Sequence, residues 1–224
     1  MGPSEHPPLP GVAADLLERG VSRSVLLTGD FLTVLRDHAQ LPDGSVGKRE
    51  FVVHPGAVMV VPLLADDRVV MERQYRYPVG RVVLEFPAGK LDAGEGSLAC
   101  AQRELQEETG YTAREWAFAG VIHPVVSYST EHIDVWFARG LALGDRNLDT
   151  GEFLDVVTCS VSELELGVRQ GQVTDAKTLV GLLWLQNHLS GRWSLEWLPV
   201  DDPKQAQPRG PWAPTDPGGH HESA

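Results

Sequence analysis

Residues 89–111 read GKLDAGEGSLACAQRELQEETGY, and their spacing predicts a loop that turns into a helix from about Ser97 to Thr109. Ser97 can cap the N-terminus, Leu98, Ala101 and Leu105 recur on one face, and Gly110 stands where a helix ends in left-handed backbone. Glu104, Glu107 and Glu108 fall at i, i+3 and i+4, within an arc of roughly 100°. Crowding three like charges near a helix C-terminus weakens an isolated helix by roughly 0.2–0.5 kcal/mol per close pair. Hard divalent cations take oxygen ligands, so the triad can serve as a metal platform; a solvated acidic face is the alternative reading.

Working outward, the chain alternates short β-like runs with turn signals. Ser24–Thr28, Phe31–Arg36 and Glu50–His54, broken by Gly29-Asp30 and Pro42-Asp43-Gly44, predict a small antiparallel sheet. Ala57–Leu64, Val69–Glu72, Val82–Phe86, Phe118–Ile122, His132–Ala138 and Asp155–Val161 predict further strands. A second helix is expected from about Asp175 to Leu189, with an apolar stripe of Leu179, Leu182, Leu183, Leu185 and Leu189. Strands flanking one helix and followed by another imply an α/β or α+β sandwich with helices packed on a mixed sheet.

The chain has 224 residues, room for one substantial core plus an accessory segment. A net charge of −12 argues against a surface that neutralises nucleic-acid phosphate, and no apolar run is long enough for a membrane span. Cys100 and Cys159 lie far apart without CxxC spacing, so neither a disulfide scaffold nor a zinc site is expected. The N-terminus shows no basic and apolar leader, and His6 stands where a myristoylation signal requires Ser or Thr, so a cytoplasmic location is expected. Residues 1–22 and 199–224, rich in proline, are expected to be flexible.

From Gly89 there are five residues to Glu95 and seven more to Arg103-Glu104-Leu105; Gln106, Glu107-Glu108, Thr109, Gly110 and Tyr111 follow. This resembles the complete Nudix box, whose fixed positions are all matched, a coincidence expected on the order of once in a million chains. The resemblance implies an α/β/α sandwich with a mixed sheet over residues 55–198, and a small N-terminal antiparallel sheet over 23–54 used in dimerisation. It implies hydrolysis of a nucleoside diphosphate linked to another moiety, with Mg²⁺ or Mn²⁺ as cofactor. Glu104, Glu107 and Glu108 would be metal ligands, joined by the backbone carbonyl of Ala88. Glu107 and Glu108 would also take part in catalysis. Glu95 and Arg103 would form a supporting pair, and Gly89 would supply flexible or left-handed backbone where the strand ends.

Flanking residues narrow the resemblance to ADP-ribose pyrophosphatases. Glu72-Arg-Gln-Tyr-Arg76, Leu84-Glu85-Phe86-Pro87-Ala88-Gly89, Ser129-Thr130-Glu131 and Gly171-Gln-Val-Thr-Asp175-Ala-Lys177-Thr178 carry it. By this resemblance Arg49, Arg76 and Glu85 would bind substrate and Glu131 would help activate water, although the subfamily usually has Ser-Pro-Gly shortly before that glutamate and this chain reads Pro124-Val125-Val126-Ser127-Tyr128. Phe31 and Phe51 are candidates for packing on adenine, with core positions as the alternative. The implied reaction splits ADP-ribose into AMP and ribose 5-phosphate in a homodimer. Alternatives are another nucleoside diphosphate sugar such as GDP-mannose, or a sensing module that binds ADP-ribose without cleaving it.

Overall fold

A computed structural model describes residues 16–202; the remainder of the proline-rich ends lies outside the described residues. The chain divides into two units, the first running to Gly56 and including His123–His132, the second made of Ala57–Ile122 and the residues from Ile133 onward.

In the first unit, β1 (Arg19–Thr28), β2 (Thr33–Gln40) and β3 (Val46–Val53) form an antiparallel sheet in that order. Arg23 lies opposite Asp37 and Arg36 opposite Glu50, and both pairs form ion pairs across the ladder. The turn between β2 and β3 uses the expected signal: Gly44 has a φ of 85°, and the Asp43 carboxylate accepts hydrogen bonds from the Ser45 amide and hydroxyl. β1 starts earlier than the expected boundary at residue 23, because Arg19, Gly20 and Ser22 pair with Gln40, Ala39 and His38. Ladder hydrogen bonds to the far end of β2 outweigh the weak strand preference of Gly20 and Ser22. Residues 128–130 run beside β3, with Val52 and His54 bonded to Tyr128 and Thr130.

The second unit carries a five-stranded mixed sheet in the order β13 (Leu198–Pro199), β9 (Glu115–Ile122), β10 (Ile133–Arg139), β4 (Ala57–Pro62), β7 (Ala88–Lys90). β10 and β4 run parallel and the other neighbours antiparallel. A three-stranded antiparallel sheet is built from β12 (Leu154–Ser160), β5 (Arg68–Arg76) and β6 (Arg81–Glu85), and β8 (Tyr111–Thr112) pairs with β11 (Ala142–Leu143). Side-chain alternation along β4 defines the layers. Val58 and Val60 pack with Cys100, Ala101 and Leu105 of α1 (Ser97–Thr109), whereas Met59 and Val61 pack with Leu164 of α2 (Val161–Arg169) and Leu182 and Leu185 of α3 (Ala176–Leu189). The result is the expected α/β/α sandwich.

Several local expectations are corrected. Gly96, not Ser97, holds the N-cap of α1 and provides no side-chain bond; the Ser97 hydroxyl instead accepts from Nε1 of the buried Trp136 at 2.8 Å. The α3 stripe is narrower than expected: Leu182 and Leu185 are buried, while Leu183 and Leu189 are exposed. Helix α2 has no counterpart among the expected elements. Its signature is the capping box Ser160-x-x-Glu163, in which the Ser160 hydroxyl accepts from the Glu163 amide and the Glu163 carboxylate accepts from the Ser160 amide.

The end of α1 is set by Gly110, with a φ of 76° and an amide that donates to the Gln106 carbonyl. A Cβ there would sit 2.9 Å from the Gly144 carbonyl oxygen. Gly110→Ala is therefore expected to destabilise the protein by about 1–2 kcal/mol or more, read as a lower denaturant midpoint at unchanged slope; an unchanged midpoint would contradict this.

Candidate active site

The carboxylate face of α1 lies against β7 rather than in bulk solvent. Glu108 is buried, 2% exposed, and its Oε2 accepts the Ala88 amide at 3.1 Å. Glu104 crosses over Gly89, where a Cβ would stand 1.9 Å from the Glu104 carboxyl carbon. This corrects the expected role of Gly89. It sits within β7, paired with Val58 and outside the positive-φ set, and its missing side chain leaves the space that the Glu104 carboxylate occupies.

Arg103 organises the outer part of the helix. Its Nε and one terminal nitrogen donate to both oxygens of Glu95 at 2.9 and 2.8 Å, and the other terminal nitrogen donates to Glu104 at 2.8 Å and Glu107 at 3.1 Å. The guanidinium holds the Glu95 carboxyl at about 2, below its ordinary range. Glu104 and Glu108 move the other way. Burial, the largest cause, pushes both up; Glu72, Glu104 and Glu152 add their negative charge at Glu108, and Glu107 and Glu152 add theirs at Glu104.

A second network covers the sheet side. Glu85, 1% exposed, accepts from Nε of Arg76 at 2.7 Å and from Nζ of Lys177; Lys177 also donates to Asp175 at 3.1 Å. Asp175 caps α3 by accepting the Thr178 amide, so the cap fixes where the lysine enters the site. Removing either cation would leave a buried carboxylate undercompensated.

Six acidic side chains of the second unit thus belong to one electrostatic cluster: Glu72, Glu85, Glu104, Glu107, Glu108 and Glu152. The donor set suits a hard divalent cation such as Mg²⁺ or Mn²⁺. Carboxylates are packed on a strand at a glycine that admits them, and both buried oxygens of Glu72 are unpartnered. Among the described residues no group of three or more His, Cys, Asp or Glu side chains is gathered closely enough to enclose a metal ion alone. A cation held here by Glu104, Glu107 and Glu108 would draw two of them from Arg103 and complete its shell with water and phosphate oxygens.

Two site candidates belong to the first unit. Arg49 on β3 is exposed and ion-paired with Glu18, and Glu131 lies in the 123–132 segment, its amide donating to the Ser129 hydroxyl. Three charged residues of the second unit join the cluster without a sequence signal of their own. Lys177 is visible only as part of a motif; Glu72 closes an apolar run and reads as its end; Glu152 sits in a stretch with no periodic pattern.

With this geometry in place, comparison with known proteins decides the family. The NUDIX domain matches residues 53–180. The chain belongs to the Nudix family. As a Nudix hydrolase it is 34% identical over 173 residues to an ADP-ribose pyrophosphatase of Bacillus subtilis, covering 76% of this chain and 94% of that protein. It is also 34% identical over 173 residues to a methanol dehydrogenase activator of Bacillus methanolicus, covering 75% and 92%. An ADP-ribose pyrophosphatase of Mycobacterium tuberculosis is 32% identical, covering 73% and 80%. Among solved structures, an ADP compounds hydrolase superposes with a TM-score of 0.71 at 23% identity, covering 78% of this chain and 95% of that one, which supports the fold. Nudix hydrolases use divalent metal ions, so the acidic cluster and the family agree on the class of cofactor.

The Glu95–Arg103 pair makes a testable prediction about pH. Because the folded-state value of Glu95 is depressed, its contribution is present above the ordinary carboxylate range near 4.5 and is lost as pH falls toward 2. Glu95→Gln is expected to melt below the parent at neutral pH, with the gap closing as the pH is lowered below about 4.5. A gap that is constant with pH would show that the pair does not titrate in this way.

Proposed function

We propose that this chain hydrolyses the diphosphate of ADP-ribose to AMP and ribose 5-phosphate, with Mg²⁺ as the working ion and Mn²⁺ as a substitute. The observation that carries the reading is the packing of Glu104 and Glu108 onto Ala88 and Gly89, a seat for carboxylates that a side chain at position 89 would fill. The relatives named ADP-ribose pyrophosphatase support the substrate.

The diphosphate brings negative charge to a site already lined by carboxylates. A divalent ion bound there would neutralise that repulsion and polarise phosphorus. Glu104, Glu107 and Glu108 would hold it, together with the Ala88 carbonyl. Arg103, braced by Glu95, keeps two of those carboxylates in place before the ion arrives. Arg76, fixed by Glu85, presents a guanidinium suited to phosphate or ribose oxygens, and Glu85 lies beside it as an acceptor for a hydrogen bond from a ribose hydroxyl. In this reading Arg49 adds a second arginine for substrate, and Glu131 takes a proton from the attacking water.

The reading includes a homodimer. All ten residues of β1 are exposed, Val21, Val25, Leu26 and Leu27 among them, and a three-stranded sheet with so much open apolar surface gains by packing on a second copy. It includes a small-molecule substrate, with neither nucleic acid nor membrane as partner; no helix among the described residues is long and apolar enough to cross a membrane. Cytoplasmic residence is the matching compartment, and the free thiols Cys100 and Cys159 suit it.

Turnover on ADP-ribose, GDP-mannose and NADH, each with Mg²⁺ and with chelator, tests the proposal. AMP and ribose 5-phosphate should appear from ADP-ribose only with the metal, at least tenfold faster than products from the other two. Glu104→Gln should lower turnover by about two to three orders of magnitude without unfolding the protein. ADP-ribose binding without AMP release would replace this reading with a sensing module, and faster cleavage of GDP-mannose would change the substrate.

A further inference from the structure

Glu72 is a buried acid beside the Glu104, Glu107 and Glu108 platform and distinct from it. It lies in β5, directly after the buried apolar run Val69–Met71, and is 0% exposed. Neither of its carboxylate oxygens has a hydrogen-bond donor among the described residues. Native proteins leave few buried polar atoms in that condition, and a buried carboxylate without partners is among the most unfavourable.

The surroundings narrow the explanation. Across the β5–β6 ladder Glu72 pairs with Glu85, so two buried acids stand at opposed positions on adjacent strands. The cations that act on Glu72, Arg76 and Lys177, are both bonded to Glu85. Glu72 also meets Glu108, whose Oε2 accepts the Ala88 amide. Two carboxyl groups in contact, one of them with both oxygens buried and unpartnered, form a pocket of oxygen acceptors that a proton or a cation can bridge. Gln74, two residues further along the same strand face, also has a buried side-chain oxygen without a partner.

Resting on the metal-dependent reading above, we propose that Glu72 is a metal-facing carboxylate that extends the α1 platform onto β5 and shares a divalent cation with Glu108. Two carboxylates, supplemented by water and phosphate oxygens, form the usual protein share of a Mg²⁺ site. The unpartnered oxygens then acquire the partner that the protein itself does not supply, and Gln74 offers a neutral oxygen beside them for a metal-associated water.

Mn²⁺ alone is the probe. The full chain, Glu72→Gln and Glu104→Gln are titrated with Mn²⁺, free ion is read by electron paramagnetic resonance, and melting temperature is measured in chelator and in saturating Mn²⁺. Glu72→Gln should bind Mn²⁺ at least tenfold more weakly than the parent, melt no lower than the parent in chelator because its buried oxygens have no partner in the protein to lose, and gain less from Mn²⁺. Glu72→Met, similar in volume and uncharged, answers the same question should the glutamine variant fail to fold. Parental Mn²⁺ affinity in Glu72→Gln alongside weakened binding in Glu104→Gln would overturn this inference and leave the metal-dependent reading standing. A lower melting temperature in chelator with unchanged Mn²⁺ affinity would assign Glu72 a structural role and overturn it as well. A parent protein that binds no Mn²⁺ would overturn both.

Discussion

The packing of the α1 carboxylates against the backbone of β7 is the constraint on which the rest of the second unit depends. Helix α1 is held to the sheet by Cys100, Ala101 and Leu105 on one side, and full burial of Leu105 alone stabilises by about 2 kcal/mol. That apolar seam fixes the rotation of the helix, and rotation decides where Glu104 and Glu108 point. Gly89 completes the arrangement by omission, since any larger residue would occupy the space of the Glu104 carboxylate. A hydrophobic contact thus determines the position of a polar site. The crowding of charge that follows is relieved at Glu104 and Glu107 by Arg103, and at the buried Glu108 it favours the neutral form until a cation arrives.

The protein's own cations are distributed unevenly around this cluster. Arg103 serves Glu95, Glu104 and Glu107 on the outer side, while Arg76 and Lys177 both serve Glu85 on the sheet side. Glu108 and Glu72, the pair between these two groups, receive one backbone amide from the described residues. Burial then favours their neutral forms unless positive charge arrives from outside. The deficit is local: it sits where a diphosphate carried by a divalent ion would bring charge of the needed sign, and nearby arginines are left to meet the phosphates.

Much of this was legible in the sequence because it follows from short periodicities. The 3.6-residue repeat of Leu98, Ala101 and Leu105 located the buried face of α1, the i, i+3, i+4 spacing of the glutamates put them together, and Gly110 marked the end of the helix. Legibility failed where the deciding partner is distant in sequence. The role of Gly89 depends on Glu104, fifteen positions away, and Ser97 is drawn from capping by Trp136. Glu72 ends an apolar run and carries no local signal of importance; its meaning depends on β6 and α1 together. The capping box of α2 is readable at Ser160 and Glu163 yet is obscured by the β-branched run 156–158 just before it.

The central claim is that the carboxylates packed on Ala88 and Gly89 exist to seat a divalent cation. Crystals soaked in Mn²⁺ and measured at a wavelength that gives the ion an anomalous signal test this most directly. The account predicts a strong anomalous peak in bonding range of Glu104 and Glu108 oxygens, with the Arg103 guanidinium withdrawn from Glu104. Ordered Mn²⁺ elsewhere on the molecule, with Arg103 still bound to Glu104 and Glu107, would contradict it.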